Sequence, residues 1–257
     1  MAVVHGGSSS SDDQNQNLLA FAEELRKPSR ILCRGVPGGK TRFRPRKCPV
    51  EVPLAGSKAS GPCPTQCLGY AGVMVGLVWR LRWEADLSRD EHDAVAALLS
   101  RIYPDHAATF AEGRSWSGAR PEGRVIGYSE GRPVAHLGFL RRMLRINDDS
   151  SLLVGDVGLV GVDPSLHRSG IGLRLLEEAS ISFHDLALPF GFLTCRPGVV
   201  PFYERAGWKE LPGQVTRMID NDLQPETYTG PALALSVRAP LSEWPSGHTV
   251  IRDGLEV

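Results

Sequence analysis

Val160-Gly-Val-Asp-Pro-Ser-Leu-His-Arg-Ser-Gly-Ile-Gly-Leu-Arg-Leu-Leu176 carries the chain from one periodicity to another. Ahead of it, residues 151–162 read as a long apolar strand. Behind it, residues 173–186 repeat apolar side chains at helical spacing. Between the two, Gly170 and Gly172 lack Cβ atoms, so a ligand can approach the backbone closely. Free N–H groups at a helix N-terminus attract phosphate and other anions. The stretch has no Gly-Lys-Ser/Thr, which excludes a Walker loop, and no G-x-G-x-x-G, which excludes a dinucleotide fingerprint. A glycine-rich turn with no ligand explains the same residues, and the pattern alone leaves both readings open.

The flanking sequence extends the alternation of strand and helix. Residues 79–83 suit a first strand. Ser88-Arg-Asp-Glu91 is a capping box that opens a helix. Val95, Leu98, Leu99 and Ile102 share one face of that helix, and Pro104 ends it. Residues 105–122 form a polar loop. A hairpin follows, with strands 124–129 and 133–142 joined at Glu130-Gly131. After the central helix come a buried strand at 190–195, a short helix at 199–206 and late strands at 208–211, 215–219 and 232–237. The expected domain is α/β, with a mixed central sheet flanked by helices over residues 78–257.

The chain has 257 residues, with 29 Lys+Arg balancing 29 Asp+Glu. That balance excludes a uniformly basic nucleic-acid binder, so no nucleic-acid partner is expected. No apolar run approaches the roughly 18 residues of a membrane span. The charge is uneven, however. Residues 1–77 hold 10 Lys+Arg and 5 Asp+Glu, and Gly, Pro and Ser supply 24 of them. Such a segment buries too little apolar surface to offset its ordering entropy, so it is expected to be a disordered extension. Met74 or Val75 would serve as an alternative start, which would leave that extension untranslated. Cys63-x-x-x-Cys67 lacks a second ligand pair at zinc spacing, so no metal site is expected. An odd cysteine count with no secretion signal points to reduced thiols in the cytoplasm.

Two segments resemble the GNAT acyltransferase superfamily. One is His167-Arg-Ser-Gly-Ile-Gly172, similar to the turn that cradles pantetheine phosphates, although His167 stands where Arg or Gln is usual. The other is Pro201-Phe-Tyr-Glu-Arg-Ala-Gly-Trp208, similar to the helix whose Tyr protonates a leaving thiolate. A closer resemblance covers nearly all of 78–257. It rests on Trp79-Arg-Leu-Arg-Trp83, Gly113-Arg-Ser-Trp-Ser-Gly-Ala-Arg-Pro121, Ile126-Gly-Tyr128, Ala135-His-Leu-Gly138, Leu140-Arg-Arg142 and Ser242-Glu-Trp-Pro-Ser-Gly247. These resemble the nodulation protein A (NodA) family of N-acyltransferases. The resemblance implies a GNAT-like fold, no tightly bound cofactor, and an acyl thioester of phosphopantetheine as co-substrate. It implies transfer of a fatty acyl chain from acyl carrier protein to the free amine of a partly deacetylated chitooligosaccharide, giving a lipo-chitooligosaccharide signal. An acetyl-CoA-dependent N-acetyltransferase acting on a small amine such as an aminoglycoside fits the same turn. So does a catalytically inactive acyl-CoA-binding module.

Acyl transfer to an amine needs a base, a polarised carbonyl and an acid for the thiolate. Asp156 lies in an otherwise apolar strand, where burial raises a carboxyl pKa toward a useful range, and it is the first candidate base. His136, on an apolar strand, is the second. Tyr203 is the candidate acid. Val160, Val162, His167, Arg168, Gly170, Ile171 and Gly172 form the candidate donor site, with Gly158 and Gly161 marking a bulge that frees an amide. Arg114, Trp116 and Arg120 are candidates for the acceptor sugar. Trp244 either closes the acceptor groove or covers the core. Arg141, Arg142 and Arg145 offer a basic patch to an acidic carrier protein. Leu137, Phe139, Leu140 and Met143 line an acyl groove or simply pack. Cys195 reads as a buried, inert thiol.

Overall fold

The computed structural model describes residues 76–147, 150–245 and 247–257. The expectations for residues 1–75, the Cys63/Cys67 pair included, therefore lie outside the described residues. Strand β1 (Leu77–Trp83) begins one residue before the expected boundary. It pairs antiparallel with β2 (Gly123–Ser129). Between them lies α1 (Arg89–Ile102), which starts at the expected capping box: Ser88 accepts from the Glu91 amide, and Glu91 accepts from the Ser88 amide. Pro104–Gly113 then coils into tight helical turns where the sequence reads as loop.

Strand β2 turns into β3 (Arg132–Ile146) through Glu130 and Gly131, both at positive φ (50° and 76°). Two such residues form the turn whose twist matches a hairpin. Strand β3 continues four residues beyond the expected end, and β4 (Ser150–Val162) runs antiparallel to it along its length. Helix α2 (Ile171–Asp185) crosses over to β5 (Phe190–Thr194), which runs parallel to β4. After α3 (Val200–Arg205) come β6 (Lys209–Glu210), β7 (Val215–Ile219), β8 (Pro225–Tyr228), β9 (Ala232–Ser236) and β10 (Thr249–Arg252). The sheet order is β6-β9-β5-β4-β3-β10-β7-β8, with β2 and then β1 on the other half of β3. This is the mixed sheet with flanking helices that the sequence implies; β8 and β10 are additional to the expected strands.

Alternation along the strands sends side chains to both faces of the sheet, where they gather in three clusters. Helix α2 buries Ile171, Leu175, Leu176, Ala179 and Phe183 against Val125, Leu137, Phe139 and Val157. Each fully buried large apolar side chain contributes roughly 1.5–3 kcal/mol, so this face anchors the helix. On the opposite face, Val95, Ala96 and Leu99 of α1 pack with Phe110 and Ile126. Further along, Leu144, Val154, Phe190, Phe192 and Val250 form a third cluster on which Trp244 sits. Leu137 and Phe139 are fully buried core residues, which removes them from an acyl groove, whereas Met143 is half exposed.

Candidate active site

Strand β4 pairs with β5 only at Val154, Gly155 and Asp156, opposite Phe190, Gly191 and Phe192. Beyond that point the two strands part. At the same level the β3 register slips: Gly138 faces Gly158 and His136 faces Gly161, so Leu159 and Val160 together oppose Leu137. The extra residue is a β-bulge, placed between the two glycines that suggested one. Leu159 has a φ of 52°, a left-handed conformation that is costly for a branched side chain. Two bonds hold it. His136 Nδ1–H donates to the Leu159 carbonyl at 2.9 Å, and the Tyr103 hydroxyl donates to the Val160 carbonyl at 2.8 Å.

The parted strands leave a groove. A narrow slot of about 30 Å³ is lined by His167 and Gly172, by Val160, Gly161 and Val162, and by Phe202 and Tyr203. It shares Val160, Val199 and Tyr203 with a wider cleft of about 390 Å³. At the slot end, α2 begins at Gly170 with a φ of 85° and no side-chain cap. A Cβ at Gly170 would meet nothing within 4 Å, so the space over this helix start is open. The first-turn amides thus keep their capacity to hold an anion. The His167 ring donates from Nε2 to the Val162 carbonyl at 3.2 Å while lining the slot. Arg168 is exposed at positive φ. Ile171 points into the core, so of the donor residues it offers backbone only.

Tyr203 is buried on α3, with its ring packed edge-on against Phe202 and Trp208, and it lines both slot and cleft. Burial pushes its phenol well above the usual range, and the charges of Cys195, Tyr103 and Glu256 add to the rise. It therefore holds its proton at neutral pH, as an acid must. Burial likewise pushes the Cys195 thiol up to about 12, so it is not a nucleophile near pH 7.

The two candidate bases are placed elsewhere. Asp156 is fully buried, with Oδ1 2.9 Å from Arg252 Nη2 and Oδ2 3.1 Å from Arg142 Nε. Burial raises its carboxyl, and the two guanidinium groups oppose the rise. A carboxylate held between two buried cations is a structural centre. Removing such a partner strands charge and typically costs about 3–5 kcal/mol. His136 is also fully buried. Arg124 Nη1 donates to its Nε2 at 3.0 Å while Nδ1 serves the bulge, so both ring nitrogens are engaged. Burial and the Arg124 charge beside it lower its pKa to about 3, and the bond to the Leu159 carbonyl only partly opposes them. Neither residue lines the slot or the cleft.

The acceptor candidates are brought together, but around one another. The Arg120 guanidinium lies 4.6 Å from the Trp116 ring centre and that of Arg114 lies 5.8 Å away. Arg114 also bonds the carbonyls of Trp116 and Ser117, and Arg120 pairs with Glu84. From this loop it is Ser117 that lines the cleft. The basic patch is neutralised: Arg141 pairs with Glu122, Arg142 with Asp156 and Arg145 with Asp253. Trp244 stacks on Phe192 and meets Phe190 edge-to-face, so it covers the core. Among the described residues, no cluster of His, Cys, Asp or Glu is arranged to hold a metal.

The cleft instead draws on residues the sequence did not single out. His106 and Arg196 line it, each with a buried nitrogen lacking a hydrogen-bond partner. Tyr228 lines it too, and its hydroxyl donates to the Cys195 carbonyl at 2.5 Å. Glu256 lines it as well, and the Thr194 hydroxyl donates to its carboxylate at 2.6 Å. No local pattern marks these positions, because four separate segments bring them together.

The family model described as Nodulation protein A (NodA) matches residues 74–257. The chain belongs to the nodulation protein A family. It is 35% identical to nodulation protein A of Rhizobium leguminosarum bv. trifolii over 200 residues, covering 72% of this chain and 100% of that one. It is 37% identical to that of Rhizobium tropici over 195 residues, covering 70% and 97%. As in the rest of the NodA family, its activity is that of an acyltransferase. Among solved structures it is similar to an acyl-CoA N-acyltransferase from Pseudomonas aeruginosa, at 17% identity and a TM-score of 0.43, covering 62% and 99%. It is also similar to the GNAT family N-acetyltransferase YhbS from Escherichia coli in complex with CoA, at 14% identity and a TM-score of 0.47, covering 68% and 88%.

Proposed function

We propose that this NodA-family protein moves a fatty acyl group from the phosphopantetheine thioester of acyl carrier protein to the free amine of a partly deacetylated chitooligosaccharide. The product is a lipo-chitooligosaccharide nodulation signal. The observation that carries the proposal is the continuous groove at the β4–β5 split. It runs from an uncapped helix start, past a strained bulge, to Tyr203 and a wide polar cleft. A thin pantetheine arm suits the slot, and a long acceptor suits the cleft.

In this reading each part has one task. The amides at the start of α2 hold the donor's phosphate. The amides of the bulge around Val160 polarise the thioester carbonyl, because the carbonyls of Leu159 and Val160 are already committed inside the protein. Tyr203 gives its proton to the leaving thiolate. No resident cofactor is needed, since the acyl thioester is itself consumed. Carrier protein and CoA thioesters place the reaction in the cytoplasm.

The open space above Gly170 favours one alternative, acetyl-CoA as donor and a small amine as acceptor, since CoA carries a pyrophosphate. One experiment separates the two. Partly deacetylated chitin tetramer and pentamer are offered long-chain acyl carrier protein, long-chain acyl-CoA and acetyl-CoA in parallel, and products are read by mass. N-acylation by the long-chain carrier protein is expected. Transfer of acetyl alone from CoA would reverse the assignment.

A further inference from the structure

We propose that Glu256 is the catalytic base that deprotonates the acceptor ammonium, and that the buried Asp156–Arg142–Arg252 cluster positions it. This inference rests on the acyl-transfer reading above and supplies the step that reading lacks.

A carboxylate on an apolar sheet is expensive to bury, so Asp156 needs its two cations. Both cations also hold the chain's last described segment. Arg252, on β10, donates to Asp156 at 2.9 Å and lies 3.5 Å from the Glu256 carboxylate. Arg142, on β3, donates to the Leu255 carbonyl at 2.8 Å. Two backbone contacts complete the placement. The Glu256 carbonyl accepts from the Ala119 amide at 2.6 Å, and the Val257 carbonyl lies so close to Gly158 that a Cβ there would sit 2.2 Å from it. The side chain is thereby set beside Thr194, where β5 ends, and near Gly158, where the bulge begins. That is the crotch of the parted strands, where the thioester carbonyl and the attacking nitrogen must meet.

The Glu256 side chain stays accessible, at 45% exposure, while Asp156 has none. Its charged neighbours are Arg252, Arg142 and Asp156 behind it and Arg196 in the cleft. The titratable groups around it are His106, Cys195 and the phenols of Tyr103, Tyr203 and Tyr228. Its negative charge raises the pKa values of Cys195, Tyr203 and Tyr228, so it acts on the same space that holds the acid.

The step balances as follows. Glu256 takes one proton from the ammonium and later releases it to water. The freed lone pair forms the C–N bond. The C–S bond breaks, the thiolate takes the Tyr203 proton, and the surplus proton on nitrogen restores the phenol.

The test measures acyl transfer by wild type, Glu256→Gln, Glu256→Asp and His106→Gln. The donor is long-chain acyl carrier protein. The acceptors are chitin tetramer, ethanolamine (protonated near pH 7) and hydroxylamine (largely neutral there). A missing general base costs about 10²–10⁴-fold. Glu256→Gln should therefore lose at least 100-fold in kcat with ethanolamine near pH 7, and recover as the pH rises. With hydroxylamine it should lose under tenfold. Glu256→Asp should keep part of the rate. Equal loss on both amines at every pH, or a pH-dependent loss in His106→Gln but not in Glu256→Gln, would overturn the proposal. Thermal melts show that the variant is folded; Arg252 keeps Asp156, so no change is expected. If wild type acylates ethanolamine but not the tetramer, the chitooligosaccharide reading fails while the role of Glu256 is still decided.

Discussion

A histidine held neutral in a fully buried site makes folding depend on pH, and His136 is such a residue. In the unfolded chain its imidazole takes a proton near pH 6.5. In the fold the proton is refused until about pH 3, because burial and Arg124 both oppose a second charge. Above pH 6.5 the two states bind equal numbers of protons, so His136 contributes no slope. Below it, only the unfolded state gains the proton, and stability falls by about 1.4 kcal/mol per pH unit. The denaturant midpoint at pH 5 should therefore reflect roughly 2 kcal/mol less stability than at pH 6.5 from this residue alone. In His136→Gln that portion of the slope should vanish. An unchanged slope would show that His136 is protonated in the fold. Sequence reasoning chose His136 and Asp156 correctly as unusual residues in apolar strands. The partners that engage them, Arg124, Arg142 and Arg252, cannot be assigned from strand periodicity.

At the scale of elements, the bulge in β4 and the segment after β10 depend on each other through Gly158. A Cβ at this position would lie 2.2 Å from the Val257 carbonyl, and backbone cannot swing aside as a side-chain tip can. Gly158→Ala should cost about 1–3 kcal/mol, the usual range for overpacking. It should also lower kcat/KM, by pushing Glu256 away from Thr194. A thermal melt and steady-state kinetics on the same sample check both. A variant with full activity would separate the bulge from the placement of Glu256. Local elements were legible where their cause is local. The Ser88–Glu91 box sets the start of α1, and the Glu130-Gly131 pair sets the β2–β3 turn. Strand β10 was not legible. Four residues ending in Arg252 carry no clear alternation, and they are a strand only because β3 and β7 lie on either side.

At the scale of the whole molecule, the described residues start at Gly76, and the family match starts at residue 74. Removing residues 1–73 should leave the melting temperature and kcat/KM unchanged. Loss of either on truncation would assign residues 1–73 a part in folding or catalysis. The sheet also explains why the groove exists at all. Strand β4 must pair with β3 throughout, yet β5 diverges after Phe192, so one edge of β4 is left to a ligand. The amino-acid sequence by itself determined the α/β class, the glycine turn at the start of α2, the placement of Tyr203 on a short helix and the family. Each of these follows from near-neighbour pattern, since periodicity, capping and turn chemistry act over a few residues. Only the tertiary structure decided which carboxylate faces the groove. Asp156 and Arg252 are 96 positions apart, and Thr194 and Glu256 are 62 apart. Contacts at such separations form because the sheet order puts β10 beside β3, and no local pattern in the chain encodes that adjacency.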